Sequence, residues 1–393
     1  MQITARRYDT LQPVTVSVNQ GKIQRIELAQ TTCDLAQVPW ISPGFVDVQV
    51  NGYGGVDFNS PSLSAEDVAR IGLSLNEFGV TRFCPTVTTD GFQSLRASLH
   101  AIANSCDQDP RAAERIAGIH LEGPYISPED GPRGAHPRAH VRPPDWEEFR
   151  QLQDAAGGRI RLLTLSPEYE QAAEFIKQAV ASGVTIAIGH TSANSDQIRS
   201  AVDVGATLST HLGNGAHGQI RRHPNYIWDQ LADDRLTASL IADGHHLPPE
   251  VVQVFVRAKS AERLILVSDI TGMAGLPPGH YASCSLGAVE VLEDGRLVIA
   301  GQRQLLAGAA LPITAGIANL LRYSDVDLAA AVKMASYRPA EVIGASQSSL
   351  QVGSTADLVL FKLPGADGVG PVGELNVVAT LQAGELVYGK LDG

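Results

Sequence analysis

The stretch RIAGIHLEGP (115–124) runs β-branched and apolar residues into a glutamate, Glu122, and stops on a Gly-Pro pair. The apolar run reads as a buried strand, and Gly-Pro is a strong breaker of regular structure. His120 and Glu122 are two apart and so share one face of that strand. A carboxylate at the end of a buried strand needs a partner, because an unpaired buried charge costs several kcal/mol. On this stretch alone the partner could be an arginine or something else. The rest of the chain has to decide.

Seven further runs of the same kind recur: FVDVQVN (45–51), TRFCPTVTT (81–89), RIRLLTLSP (159–167), VTIAIGHT (184–191), ATLSTHLG (206–213), LTASLIADG (236–244) and RLILVSDI (263–270). Amphipathic helical patterns separate several of them, such as SAEDVARIGLSLNEFG (64–79) and PEYEQAAEFIKQAVASG (167–183). Eight buried strands alternating with helices predict an α/β fold, a parallel (β/α)8 TIM barrel. An open doubly wound sheet is the alternative. It lacks its G-x-G-x-x-G turn here, and eight strands suit it less.

The ends differ from the middle. VTVSV and KIQRIEL near the start, and ADLVLFKL, VVATLQAG and ELVYG near the finish, are short β-like pieces around turns. They predict one small β-sandwich domain assembled from residues 1–41 and 346–393, flanking a barrel of residues 42–345. GHYASCSLGAVEVLEDGRLVIAGQ (279–302) reads as a β-hairpin insertion turning at Asp294-Gly295.

The chain has 393 residues, 44% hydrophobic and 18% charged, which suits a globular protein with a large core. Its net charge of −12 argues against a nucleic-acid surface. No apolar run approaches a membrane span, and MQITARRYDTLQPVTV has no apolar signal region, so a cytoplasmic location is expected. The four cysteines, Cys33, Cys84, Cys106 and Cys284, show no C-x-x-C pairing and are expected as reduced, mostly buried thiols.

The strand endings supply Gln49, Glu122, His190, His211 and Asp269, with Asp243-Gly244-His245-His246 after the seventh. In a TIM barrel these ends meet at one mouth, where active sites form. Singly, each has a plainer use: a satisfied core histidine, or an aspartate capping a helix. Together they point to chemistry. Two imidazoles and a carboxylate make a catalytic zinc set with one position left for water, and Fe²⁺, Co²⁺ or Mn²⁺ would also suit it. No strand-end lysine is present to bridge two ions. Gln49 stands where another histidine would help hold a second ion, and an amide is a poor ligand, so one divalent metal per chain is expected. Asp269 is then free as general base on the water at the metal.

The motifs PGFVDVQVNGYGG, HLEGPYIS, GHT (189–191), STHLGN, IADGHH and SDITGMAGLPPGHY resemble those of the N-acetylglucosamine-6-phosphate deacetylase family within the amidohydrolase superfamily. The resemblance spans about residues 40–345. GSTADLVLF resembles the superfamily's return into its small domain. It implies hydrolysis of N-acetylglucosamine 6-phosphate to glucosamine 6-phosphate and acetate. Glu122, His190 and His211 would hold the metal, and Asp269 would act as base and then as acid. His136, Asn214, Gly215 and His246 match substrate contacts, and Arg222 matches a phosphate-binding arginine. Gln49 matches the single-metal branch. The family's phosphate site is completed by the neighbouring subunit, which implies a homodimer. The sequence departs from H-L-x-N-A-M with HLGNGAHG, and His217, His223 and His245 are extra histidines near the mouth. Three alternatives stay open at this point: another N-acetyl sugar or an N-acyl amino acid as substrate, a metal-free scaffold without catalysis, and an Arg222 that merely pairs with Asp229 or Asp233.

Overall fold

The computed structural model describes residues 1–29, 35–283 and 287–391. Eight strands, Phe45–Val50, Val80–Thr88, Ile119–Glu122, Ile160–Leu165, Thr185–Ile188, Ala206–Ser209, Thr237–Leu240 and Leu264–Leu266, pair in sequence order in one sheet. Every neighbouring pair is parallel, as Leu163 opposite Ile186 illustrates. The ring closes where the first strand meets the residues beyond the eighth. Val50 bridges Ile270, the Asn51 N–H donates to the Ile270 carbonyl at 2.7 Å, and the Asp269 N–H donates to the Gln49 carbonyl at 3.0 Å. This is a TIM-type barrel.

The continuous apolar character of the strands follows from burial on both faces. All six residues of FVDVQV are buried. Alternate residues feed two separate cores. Val46, Val48, Leu162, Leu208, Ile265 and Val267 fill the barrel interior, which Ala340 and Ile343 close. Phe45, Leu121, Leu163 and Ile186 pack outward under the helices. The helix Ala65–Ser74 shows how the sequence sets that outer layer. Ser64 caps it reciprocally with Asp67, and Val68, Ile71 and Gly72 form its buried stripe. The predicted helix at 167–183 begins later, at Ala172. Glu168 and Tyr169 are committed elsewhere: the Glu168 carboxylate accepts from Ser127, Ser166 and Ser192, and the Tyr169 hydroxyl donates to the Ile126 carbonyl.

The two ends of the chain join in one seven-stranded sheet beside the barrel. Its order is Glu385–Gly389, Asn376–Gln382, Leu358–Lys362, Trp40–Pro43, Gln2–Arg7, Pro13–Asn19 and Lys22–Leu28. The ends meet where Phe361 faces Trp40 and Leu358 faces Pro43, so this ladder runs through Pro43. The insertion is larger than the expected hairpin. Four antiparallel strands, Gly279–Ser283, Gly287–Val291, Leu297–Ile299 and Gln302–Leu306, share a small core of Met273, Val289, Val291, Leu297 and Ala307. Asp294-Gly295 does form its turn, with Gly295 at φ +82°. Cys84 and Cys106 are buried free thiols, whereas Cys33 and Cys284 lie outside the described residues. Among the described residues no helix is long and apolar enough to cross a membrane.

Candidate active site

Three strand ends bring Glu122, His190 and His211 together. Glu122 Oε1 lies 3.1 Å from His190 Nε2 and 3.0 Å from His211 Nε2, and the two nitrogens are 3.1 Å apart. All three residues are at most 7% exposed. His190 Nδ1 is 2.8 Å from the Pro132 carbonyl. A carbonyl only accepts, so in the neutral ring Nδ1 carries the proton and Nε2 presents a bare lone pair. That lone pair faces a carboxylate oxygen and a second imidazole nitrogen. Only a proton or a cation between them makes the arrangement attractive. A cation about 2.0–2.2 Å from each nitrogen and oxygen ligand would separate those atoms by roughly 3 Å, so the donor set fits one.

The protonation of the side chains records the same attraction. Burial pushes the Glu122 carboxyl up, but the hydrogen bonds and positive charge that His190 and His211 supply when protonated outweigh it and hold the group well below its ordinary value. Burial likewise lowers His211, and its bond to Glu122 more than reverses that, leaving it raised. A looser triple of Glu122, His136 and His190 places its potential ligand atoms within 4.8 Å of one another. The triangle with His211 is tighter. His136 is also occupied, since its Nδ1 is 2.8 Å from Thr89 Oγ1. Burial drives the His136 pKa down to about 3, so it is a neutral ring stacked edge-on against His190 at 4.4 Å.

Asp269 follows the eighth strand. Its Oδ1 accepts from Asn51 Nδ2 at 2.7 Å, and burial, then the Glu122 charge, raise its pKa to about 6. Asp269, His190 and His211 have φ of +55°, +48° and +27°. Non-glycine residues avoid this region unless their surroundings impose it, and such residues concentrate at functional sites. After the seventh strand, Asp243 Oδ1 accepts the N–H groups of His245 and His246, and its Oδ2 meets His246 Nδ1 at 2.8 Å.

These groups line one cavity of about 310 Å³, which also takes in Asn214 and Gly215. Of the residues expected from the sequence, only Gln49 and Arg222 stay outside its lining. Gln49 is buried behind it and donates from Nε2 to Glu122 Oε1 at 3.0 Å. It therefore supports the carboxylate through a hydrogen bond. Arg222 is exposed, and among the described residues its guanidinium has no partner. The two acids considered for it are taken, since Asp229 accepts from Ser195 and Asp233 pairs with Arg235.

Several residues around the mouth have local physical reasons for their identity. Gly215 sits at φ +55°, and a Cβ there would lie 2.6 Å from His190 Nδ1. Gly123, at φ +82°, would place a Cβ 2.2 Å from Thr89 Oγ1, the hydroxyl that holds His136. His217 bridges Glu129 Oε2 at 3.1 Å and the Tyr226 hydroxyl at 2.9 Å, tying two mouth loops together. His245 Nε2 meets the Asp294 carbonyl at the turn of the insertion. His223 is exposed. Sequence reasoning missed Asn51, Thr89 and the Leu306–Gly308 segment, which also lines the cavity. Only Asn51, at the end of the first strand, carried a usable signal.

With this geometry in hand, comparison with known proteins is informative. The amidohydrolase family profile matches residues 40–390. The N-acetylglucosamine-6-phosphate deacetylase of Bos taurus is 33% identical over 359 residues, covering 88% of this chain and 83% of its own. The N-acetylgalactosamine-6-phosphate deacetylase of Escherichia coli O157:H7 is 31% identical, covering 87% and 89% respectively. An N-acetyl-D-glucosamine-6-phosphate deacetylase variant of Mycobacterium smegmatis, solved with N-acetyl-D-glucosamine-6-phosphate, superposes with a TM-score of 0.86 at 28% identity, covering 98% of this chain and 99% of its own.

Gly215 offers a direct test of the geometry. Gly215→Ala should lower stability by about 1–3 kcal/mol through the imposed backbone conformation. By displacing His190 it should also weaken divalent-cation binding roughly tenfold or more. Denaturant midpoints and a metal titration check both, and unchanged cation affinity would contradict the contact with His190.

Proposed function

The chain belongs to the amidohydrolase family, and we propose that it removes the acetyl group of N-acetylglucosamine 6-phosphate, giving glucosamine 6-phosphate and acetate. The observation that carries this reading is the triangle of Glu122, His190 and His211 sharing one cavity with Asp269. The names of its relatives give the substrate class. They also set aside a scaffold without catalysis.

Glu122, His190 and His211 would hold one divalent cation, Zn²⁺ by preference for two imidazoles and a carboxylate, with Fe²⁺, Co²⁺ and Mn²⁺ as alternatives. Such an ion polarises the acetamide carbonyl and makes water more acidic. The protein's own groups do the rest. Asp269 takes a proton from the attacking water, then returns it to the departing amine nitrogen as the C–N bond breaks. His136, neutral and engaged at Nδ1 by Thr89, offers Nε2 to the acetamide oxygen. His246, fixed by Asp243, offers Nε2 to the sugar. Asn214 and the backbone at Gly215 border the same space. The guanidinium of Arg222, unpartnered among the described residues, is free to meet a phosphate, and we read the functional unit as a homodimer in which a neighbouring copy completes that site, as the family resemblance implies. A second reading, the galactose epimer, is favoured by relatives of nearly equal identity that are N-acetylgalactosamine-6-phosphate deacetylases. An N-acyl amino acid has no such support.

Asp269→Asn should keep the cation and the substrate affinity while turnover falls roughly 10²–10⁴-fold, the worth of a general base. The unsubstituted protein works with Asp269 ionised, so kcat/KM should fall as pH drops through its pKa. With that value at about 6 from the protein's own groups, and a bound cation favouring the carboxylate, the acid limb should lie at or below pH 6. A near-normal rate in Asp269→Asn would remove Asp269 from this role.

Arg222→Ala tests the phosphate. A charge-assisted contact is worth about 1.5–3 kcal/mol, so kcat/KM for N-acetylglucosamine 6-phosphate should fall roughly 10–150-fold. Hydrolysis of unphosphorylated N-acetylglucosamine should barely change. Equal losses on both substrates would overturn the phosphate assignment.

A further inference from the structure

Asn51 closes the first barrel strand and makes three contacts across the seam of the ring. Its Nδ2 lies 2.7 Å from Asp269 Oδ1 and 3.3 Å from the Asp269 carbonyl oxygen, and its backbone N–H donates to Ile270. Asp269 in turn donates its N–H to Gln49. The residue at φ +55° is therefore held through its main chain on both sides and through one oxygen of its carboxylate. Among the described residues Asn51 Oδ1 is buried without a hydrogen-bond partner. A buried amide oxygen left unsatisfied by the protein is unfavourable, so an apolar side chain would serve packing better. Rotating the carboxamide would not help, because Oδ1 would then face the Asp269 carboxylate. The amide is kept for what its nitrogen does.

We propose that Asn51 is the positioning residue of the proton carrier, holding Oδ1 of Asp269 so that the travelling proton is taken up and released on Oδ2. This rests on the hydrolytic reading above. An oxygen already accepting an N–H bond is the less basic of the pair, and Asn51 fixes the plane of the carboxylate as well. In the forward step a water O–H bond breaks and an Oδ2–H bond forms while the water oxygen attacks the carbonyl carbon. In the second, the Oδ2–H bond breaks, the proton passes to the nitrogen as its bond to carbon breaks, and the carboxylate is restored.

Asn51→Ala and Asn51→Asp in the metal-loaded protein test this against N-acetylglucosamine 6-phosphate. For Asn51→Ala, kcat should fall roughly 10–100-fold, the usual loss when a supporting hydrogen bond is removed. KM, metal content and thermal midpoint should stay close to those of the unsubstituted protein. Asn51→Asp puts a carboxylate against Oδ1, and like charges at that distance raise a pKa, so the acid limb of kcat/KM should move up by about one pH unit or more. A purely structural role would not move that limb. Normal kcat in Asn51→Ala, or a loss of kcat matched by a loss of bound metal, would overturn the proposal. Asp269→Asn separates the two ideas. If it is active, Asp269 is not the proton carrier and the part of the mechanism on which this proposal rests fails. If it is inactive while Asn51→Ala turns over normally, only the assignment to Asn51 falls.

Discussion

Two imidazole nitrogens and one carboxylate oxygen, each about 3 Å from the others, form an arrangement that a folded chain does not adopt without cause. One nitrogen is bare because its partner atom is committed to a backbone carbonyl. Buried lone pairs that face one another repel unless positive charge sits between them. The rest of the barrel mouth is organised around keeping that triangle in place. Gln49 donates into the same carboxylate oxygen from behind. Gly215 and Gly134 leave room for the His190 ring, where a Cβ would stand within 2.6 and 3.3 Å respectively.

Holding the site requires strain and a surrounding shell to impose it. Three residues of the centre sit in left-handed backbone conformations. Each lies two or three residues beyond the end of its strand, so the barrel fixes the strand and the bend aims the side chain. The loops beyond are tied laterally. Glu168 gathers Ser127, Ser166 and Ser192, of which Ser127 follows the third strand and Ser192 the fifth. Asp243 gathers the backbone of the His245–His246 pair. The site is thus assembled from six strand ends, with acidic residues of the loops acting as clasps.

Much of this was legible in the sequence, for a definite reason. A parallel strand buried on both faces has to be written as an apolar run, and a polar residue at its end is conspicuous against that background. Hence all eight strands, and the convergence of Glu122, His190, His211, Asp269 and His246, could be anticipated, whereas His136, in a loop beyond the third strand, came only from the family resemblance. What escaped depends on closure. Asn51 ends the run of the first strand, but its role shows only once that strand is brought against the eighth, and Thr89 matters only once the chain turns back at Gly123. The Leu306–Gly308 segment has no polar signature at all, and it reaches the cavity through an insertion with twice the strands expected. Glu168 looked like part of a helix because its periodicity fits one, yet three serine hydroxyls compete for it. Arg222 has no side-chain partner among the described residues, so its surroundings do not explain it.

The central claim is that Glu122, His190 and His211 are the ligands of one divalent cation. Two triples are geometrically available, and they differ only in whether His211 or His136 belongs. Metal content of purified His211→Ala and His136→Ala, measured by emission spectroscopy beside the unsubstituted protein, discriminates between them. About one ion per chain is expected in the unsubstituted protein and in His136→Ala, and close to none in His211→Ala, because three protein ligands leave little redundancy. A His211→Ala protein that stays fully loaded, or a His136→Ala protein that comes out empty, would contradict it.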